Sequence, residues 1–459
     1  MKPGEAMDVQ TFIDQSQIGS RQFRLIALCV AIMLIEGYDT TVVGYIAPAL
    51  HLDWHLRPQD LAPLFGIGLV GLSIGSLALG PVADRIGRKT LLITSVSLFG
   101  VTSLMSALAP TLNVLLILRF LTGLGLGGAM PNAFTLAAEY SPSRLRASLV
   151  APIGCGMAAG GALGGLLAGK VLGGEHWQLM FMVGGVIPLL LVPILLIWLP
   201  ESVRYKIVRG APEQDIRTTL RAMFPSARID GIRFAYSEKP LSGLPFQYLF
   251  RRGLARETLL LWLMSFSTLL VVYFLGNWLP LLVQRAGAAP GAGATMMAYY
   301  LLASTIGAIG LGIMMDRYKP QAVICLTMLA AAVSLLLLGG ALHTTSAVFM
   351  VLFVIGMGTG GTMTGTNIMA TAIYPTASRA TGVGWALAFG RLGSIVGATV
   401  VASLLALGWS LSNLFTAAAA TLFCAAICAR CLRGEHPGPR DERRLHPPSE
   451  KASSADCAR

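Results

Sequence analysis

Apolar residues in this chain gather into long, nearly unbroken runs, not into the narrow periodic stripes of a soluble helical protein. A run of about 17–25 such residues crosses a hydrocarbon core about 30 Å thick. Twelve are legible: 25–50, 61–82, 90–109, 112–138, 147–172, 177–199, 257–283, 294–315, 322–341, 346–372, 380–408 and 411–430. The pattern predicts an all-α integral membrane protein, and an even number of crossings places both termini on one side. Polar segments divide the chain into an N-terminal segment 1–24, a six-helix bundle 25–199, a central loop 200–256, a second six-helix bundle 257–430 and a tail 431–459. In the loop, Ile216, Leu220 and Met223 recur at helical spacing and predict a short helix over 213–223 lying on the membrane surface. The tail is rich in Pro, Ser and charge, a composition that predicts disorder.

The first span is interrupted at its middle by Glu36-Gly37-Tyr38-Asp39. At about 1.5 Å per residue the two acids lie roughly 17–21 Å in, near the bilayer centre, and a separation of three positions puts them on one helix face. A charge at that depth is costly unless it meets water or a partner, so it marks a functional position. Away from helix ends the spans carry only two more charges, Arg119 and Arg391. Arg391 lies in the second half of the chain at a depth similar to that of the acids. Its guanidinium either receives a carboxylate in a planar two-point fit or pairs with helix carbonyls or another span's acid. Asp39 either binds and releases a proton or makes a fixed polar contact. For Glu36 the same alternatives stand.

Composition agrees with the membrane reading: 54% of residues are hydrophobic and 12% charged, against about 25% charged in soluble domains. The net charge of +12 would suit a polyanion, but 29 of the 34 Lys and Arg fall on the side holding the termini, if that side is the cytoplasm. That asymmetry is the positive-inside bias, and no nucleic-acid partner is expected. Cys424, Cys428 and Cys431 share a face of the last helix and read as small apolar side chains, while His51 and His55 have no acidic cluster beside them. No metal, cofactor or disulfide framework is expected. The polar first 20 residues show no cleavable signal. Gly71-Leu-Ser73-Ile-Gly75 and Gly123-x-Gly125-x-x-Gly128 match hydrolase and dinucleotide patterns inside apolar helices, without the strand either chemistry requires. Nothing points to an enzyme.

The halves resemble each other. Gly123-Leu-Gly-Leu-Gly-Gly-Ala-Met130 matches Gly356-Met-Gly-Thr-Gly-Gly-Thr-Met363 at an offset of 233, and Gly80-Pro-Val-Ala-Asp84-Arg85 matches Gly312-Ile-Met-Met-Asp316-Arg317 at 232. A duplicated six-helix unit with a site between its copies is a transporter architecture. Gly80-Pro-Val-Ala-Asp84-Arg85-Ile-Gly87-Arg88-Lys89 resembles the loop signature of the major facilitator superfamily, supported by Arg119 with its following glycines and by Pro200-Glu201-Ser202. Within it the chain is similar to the aromatic acid:proton symporters, through Glu36-Gly37-Tyr38-Asp39, Gly44-Tyr-Ile-Ala-Pro-Ala-Leu50, Asp8-Val-Gln-Thr-Phe-Ile-Asp14, Tyr273-Phe-Leu-Gly-Asn-Trp-Leu-Pro280 and Gly390-Arg391-Leu-Gly393. Glu36 departs from that family's Asp, keeping the charge on a longer arm.

The resemblance implies a major facilitator fold of two pseudo-symmetric bundles. It also implies a functional monomer in a bacterial inner membrane, both termini cytoplasmic, taking up a small aromatic carboxylate together with a proton by alternating access. It makes Asp39, Glu36 and Arg119 the coupling residues and places Arg391 at the substrate. For the ring, Tyr38, Tyr45, Tyr273, Asn277, Trp278, Asn367, Trp385 and Phe389 are candidates, with Trp385 and Phe389 favoured by helical spacing to Arg391. Each of these can equally be packing. It makes Gly80, Asp84, Arg85, Gly87, Arg88 and Lys89, with Glu139, Arg146, Asp316 and Arg317, a gating network at helix ends. The alternative is a superfamily carrier for an aliphatic acid, sugar or drug, working as facilitator or antiporter.

Overall fold

Runs of apolar side chains with all backbone polar groups satisfied internally can only be helices in a bilayer, and the computed structural model is helical throughout its spans. It describes residues 6–171, 176–225, 227, 229, 232–235, 249–250, 254–341, 345–374 and 379–432 of the 459. The expected disordered tail from 433 lies outside the described residues. In order come β1 (Ala6–Asp8), α1 (Val9–Gln15), α2 (Ser20–Asp53), α3 (Pro58–Ile86), α4 (Arg88–Ser106), α5 (Leu112–Glu139), α6 (Arg146–Val171) and α7 (Trp177–Trp198). They are followed by α8 (Val203–Val208), α9 (Glu213–Met223), β2 (Arg233–Ala235), α10 (Ala255–Arg285), α11 (Ala292–Arg317), α12 (Pro320–Ala341), α13 (Thr345–Ile373), α14 (Arg379–Ala406) and α15 (Leu411–Cys431). Among the described residues twelve helices are long and apolar enough to cross a membrane. Several outrun their apolar segments, α2 by several residues at each end, because helical hydrogen bonding continues into the polar headgroup zone.

The buried apolar residues form two clusters. One runs from the C-terminal half into the part of the N-terminal half farthest from the termini, joining Val42, Leu61 and Phe181 to Trp278, Leu301 and Ala398. The other is confined to the N-terminal half and the segments outside the bilayer. The halves therefore meet at the far end. Gly44 of α2 shows how closely: a β-carbon there would stand 2.2 Å from the Gly276 carbonyl oxygen of α10, so only glycine admits the contact. Phe65 of α3 meets Trp278 of α10 edge-on at 5.0 Å nearby.

At the end bearing the termini, the chain builds a small cap that the hydropathy pattern does not announce. β1 pairs in parallel with β2, Met7 opposite Phe234. Phe12 of α1 lies edge-on to Phe224 at 5.7 Å and to Phe234 at 5.3 Å, and Ile216, Leu220 and Met223 of α9 are buried with them. The apolar stripe of α9 thus faces protein, not lipid. Asp14 of α1 fastens the cap to the turn after α5, accepting from Ser143 N at 2.7 Å and Ser143 Oγ at 2.9 Å. Burial alone would push the Asp14 carboxyl up, but Ser143, the Gln10 amide and the Arg146 charge outweigh it and hold it below the usual carboxylate range. A depressed value means the stabilisation is complete above the ordinary value near 4 and fades as pH falls through the lowered one. Asp14→Asn is expected to cost about 1 kcal/mol near neutrality, since the site is open to solvent. The gap between its thermal midpoint and that of the wild type should close in acid. A gap that did not narrow at all as pH falls through and well below the usual carboxylate range would assign Asp14 a role unrelated to its charge.

Candidate transport site

Although Glu36 and Asp39 share a face of α2 and are 0% and 2% exposed, their surroundings differ. The hydrogen-bond partners of Asp39 all come from the N-terminal half. Its Oδ2 accepts from Arg119 Nη1 of α5 at 3.1 Å, and its Oδ1 from Ser103 Oγ of α4 at 2.7 Å. Arg119 Nη2 donates to Ser106 Oγ at 3.1 Å and Thr122 Oγ1 at 3.0 Å, and its guanidinium carbon lies 4.5 Å from the centroid of the Phe181 ring. Each ion has lost several kcal/mol of hydration; the hydroxyls and the ring face replace part of it, so the pair holds only as a unit.

Glu36 has no such unit. Among the described residues neither of its carboxylate oxygens has a hydrogen-bond partner. The charges that act on it are Arg391 of α14 and Asp39. Arg391 crosses from the other half: its Nη2 stands 4.0 Å from Met130 Sδ of α5. Tyr273 of α10 feels both Arg391 and Glu36. A buried acid of one half and a half-buried cation of the other thus lie within electrostatic reach of each other at mid-depth.

The other expected contacts are placed variously. The phenols of Tyr38 and Tyr45 donate to the carbonyls of Met180 (2.8 Å) and Gly161 (2.7 Å), tying α2 to α7 and α6. Trp278 donates to the Ala398 carbonyl at 2.8 Å, and Asn277 to that of Tyr273 at 2.8 Å. Asn367 is exposed. Trp385 and Phe389 stack on Trp262 of α10, with ring centroids 6.0 and 4.0 Å away. Phe389 precedes Arg391 by two residues, a spacing that sends side chains to nearly opposite faces of a helix. The aromatic pair therefore lies on a different face of α14 from Arg391. Trp262 is absent from the sequence-derived set; its depth in α10, similar to that of Trp385 in α14, is the signal that points to it.

At the end bearing the termini, Gly87 (φ 97°) turns the chain sharply between α3 and α4. Glu201 occupies the resulting helix N-terminus, its Oε1 accepting from Arg88 N (2.8 Å), Lys89 N (3.1 Å) and Ser202 N (2.8 Å). Arg88 bridges Glu139 at 3.3 Å and Asp84 at 3.8 Å, and Glu139 accepts from Ser202 Oγ at 2.6 Å. The Arg85 carbonyl accepts from Tyr205 and Arg209, and Lys89 Nζ donates to the Leu196 carbonyl. Gly80 lies in α3 with open space beside it, and Arg146 acts electrostatically on Asp14. In the second half, Asp316 and Arg317 are exposed at the end of α11. Sequence singled out Glu201 only as part of a motif; its role as the anion on α4 depends on the fold.

A two-bundle helical carrier, with an acid of one half and a cation of the other within electrostatic reach at mid-depth, is the class that fold and site define. The profile of the Major Facilitator Superfamily matches residues 29–311 and 261–455. The chain is 39% identical over 416 residues to the 4-hydroxybenzoate transporter PcaK of Pseudomonas putida, covering 90% of this chain and 93% of that protein. It is 37% identical to the gallate transporter of Pseudomonas putida over 92% of this chain and 94% of that one. To the 3-(3-hydroxy-phenyl)propionate transporter of Escherichia coli it is 36% identical, over 90% and 94%. Among solved structures, the inward open xylose transporter XylE of E. coli superposes with a TM-score of 0.71 at 16% identity, over 91% of this chain and 98% of that one. This chain belongs to the Major Facilitator Superfamily and is a membrane transporter, not an enzyme.

Proposed function

We propose that this transporter takes up an aromatic carboxylate together with protons by alternating access. The observation that carries the reading is Glu36: a fully buried acid, without a hydrogen-bond partner among the described residues, facing Arg391 across the two halves. With Glu36 ionised, Arg391 already has its counter-charge. An incoming carboxylate competes with Glu36 for that cation, and protonation of Glu36 removes the competitor. Proton and anion therefore favour each other's binding, which is what coupling requires. After the site faces the other side, loss of the proton restores the Glu36 charge and expels the anion. Asp39 and Arg119 form the second, structurally bound acid–base pair of the cycle.

The relatives that carry ring-bearing acids support the substrate class. The cation-rich side of the chain supports both termini being cytoplasmic, and the family resemblance a monomer in a bacterial inner membrane. Closure of the halves at the far end then makes this state the inward-facing one, and the cluster of Asp84, Arg88, Glu139 and Glu201 a latch at the inner gate. The test is uptake of radiolabelled 4-hydroxybenzoate, protocatechuate, gallate and 3-hydroxyphenylpropionate into proteoliposomes, with and without an inward proton gradient. Wild type should accumulate at least one when the gradient is applied, and Glu36→Gln should not. Accumulation of none by folded protein would shift the proposal to another solute.

A further inference from the structure

Beside the Asp39–Arg119 pair lies a partly open chamber of about 40 Å³. At about 15 Å³ each that is room for roughly two or three waters. Its polar walls are Asp39 and Thr40 of α2, Arg119 and Thr122 of α5, and Asn277 of α10, so both halves contribute. Thr40 and, far from the chamber in sequence, Thr362 of α13 are the two threonines of the spans with a buried hydroxyl that has no partner among the described residues. Thr41, Thr122 and Thr359 donate to a carbonyl one turn back, at 2.9, 2.8 and 3.0 Å. The Thr40 hydroxyl is as buried as theirs but has no partner among the described residues. Leaving a hydroxyl so costs about 1–3 kcal/mol, which a water in the chamber removes. One turn along the same face of α2 sits Glu36, whose oxygens are likewise unpartnered among the described residues.

We propose that this chamber is a water-filled proton port and that the Thr40 hydroxyl links it to Glu36. The inference rests on the proton-coupled reading above. The step balances as a relay: the O–H bond of protonated Asp39 breaks, and its carboxylate is taken up by Arg119. A chamber water accepts the proton and passes another to Thr40 Oγ1, whose own hydroxyl proton goes to the Glu36 carboxylate. Water and hydroxyl are regenerated, and one proton has moved from Asp39 to Glu36. The charges around the route are Asp39 and Arg119 on one side and Glu36 and Arg391 on the other, with the Tyr273 phenol near the latter pair. Because Asn277 closes the chamber next to the Gly44–Gly276 contact, parting of the halves at the far end would open it to that side. Asp39 would then load from one side of the membrane and Glu36 discharge to the other.

Thr40→Val keeps the shape and removes the hydroxyl. In proteoliposomes it is expected to keep equilibrium exchange of 4-hydroxybenzoate within about twofold of wild type while slowing gradient-driven accumulation about a hundredfold or more, the low end for a lost proton-transfer group. Thr40→Ser, which returns the oxygen, should restore it. Accumulation by Thr40→Val at the wild-type level overturns the inference and leaves the symport reading standing. Equal loss of accumulation and exchange in both variants also overturns it, since that marks a packing role. Wild-type protein that exchanges 4-hydroxybenzoate but does not accumulate it under the gradient overturns the symport reading, and this inference with it.

Discussion

Replacing Arg391 with Ala is expected to weaken binding of 4-hydroxybenzoate by between about thirtyfold and a thousandfold, equivalent to about 2–4 kcal/mol. The magnitude follows from burial. A carboxylate bound in the proposed site gives up its water, and without the guanidinium no cation at the site replaces that hydration. Arg391→Lys keeps the charge but not the planar two-point fit, so it should fall between the two. Equilibrium binding of the radiolabelled acid to detergent-solubilised protein reads this directly, without the complication of proton movement. An unchanged dissociation constant in Arg391→Ala would remove this residue from the binding site. The electrostatic reach of Glu36 on Arg391 makes a second demand: Glu36→Gln, which removes the competing charge, should bind the anion at least as tightly as wild type even while it fails to accumulate it.

Breaking the buried Asp39–Arg119 pair should cost the fold, not the ligand. Arg119→Gln leaves the Asp39 carboxylate with Ser103 alone, and Asp39→Asn leaves the guanidinium uncompensated among Ser106, Thr122 and the Phe181 ring. Each single change is expected to destabilise by about 3–5 kcal/mol, because one ion remains buried without its partner. The double change removes both charges and should recover most of that loss. Thermal unfolding in detergent of the three variants and the wild type completes the cycle. Additive losses, with the double variant worst, would show that the two residues act independently despite their 3.1 Å contact. Recovered stability without recovered uptake would separate the pair's structural role from its role in transport.

How far the site could be read from the sequence alone differs residue by residue. The spans are legible because a run of about twenty consecutive apolar residues matches the thickness of a hydrocarbon core and is longer than a soluble core helix needs. Scarcity made Glu36, Asp39, Arg119 and Arg391 conspicuous, since a charge inside an apolar run needs a reason. What the sequence left open is which acid meets which cation: two acids three positions apart on one helix differ in azimuth by a fraction of a turn, and that fraction sends Asp39 into its own half and Glu36 toward the other. Tyr38 and Tyr45 looked like ring contacts because aromatic type carries no record of where a hydroxyl ends. The fold shows both donating to backbone carbonyls of neighbouring helices. Segment α9 was visible as an amphipathic stripe, whereas β1 and β2, at three residues each, are too short for any periodicity to register.

That short strand pair has a practical side. The two six-helix bundles are near copies in outline, and in projection images of a small membrane protein such pseudo-symmetry makes one view easily mistaken for its rotated twin. The cap, in which Phe12 packs between Phe224 and Phe234, sits on one bundle alone and is built from the chain itself. It provides a fiducial mark for aligning particles. Because its buried cluster includes no residue of the second bundle, a label on Thr11 should keep a fixed distance to one on Asp215 through the transport cycle while its distance to Asp316 reports the motion.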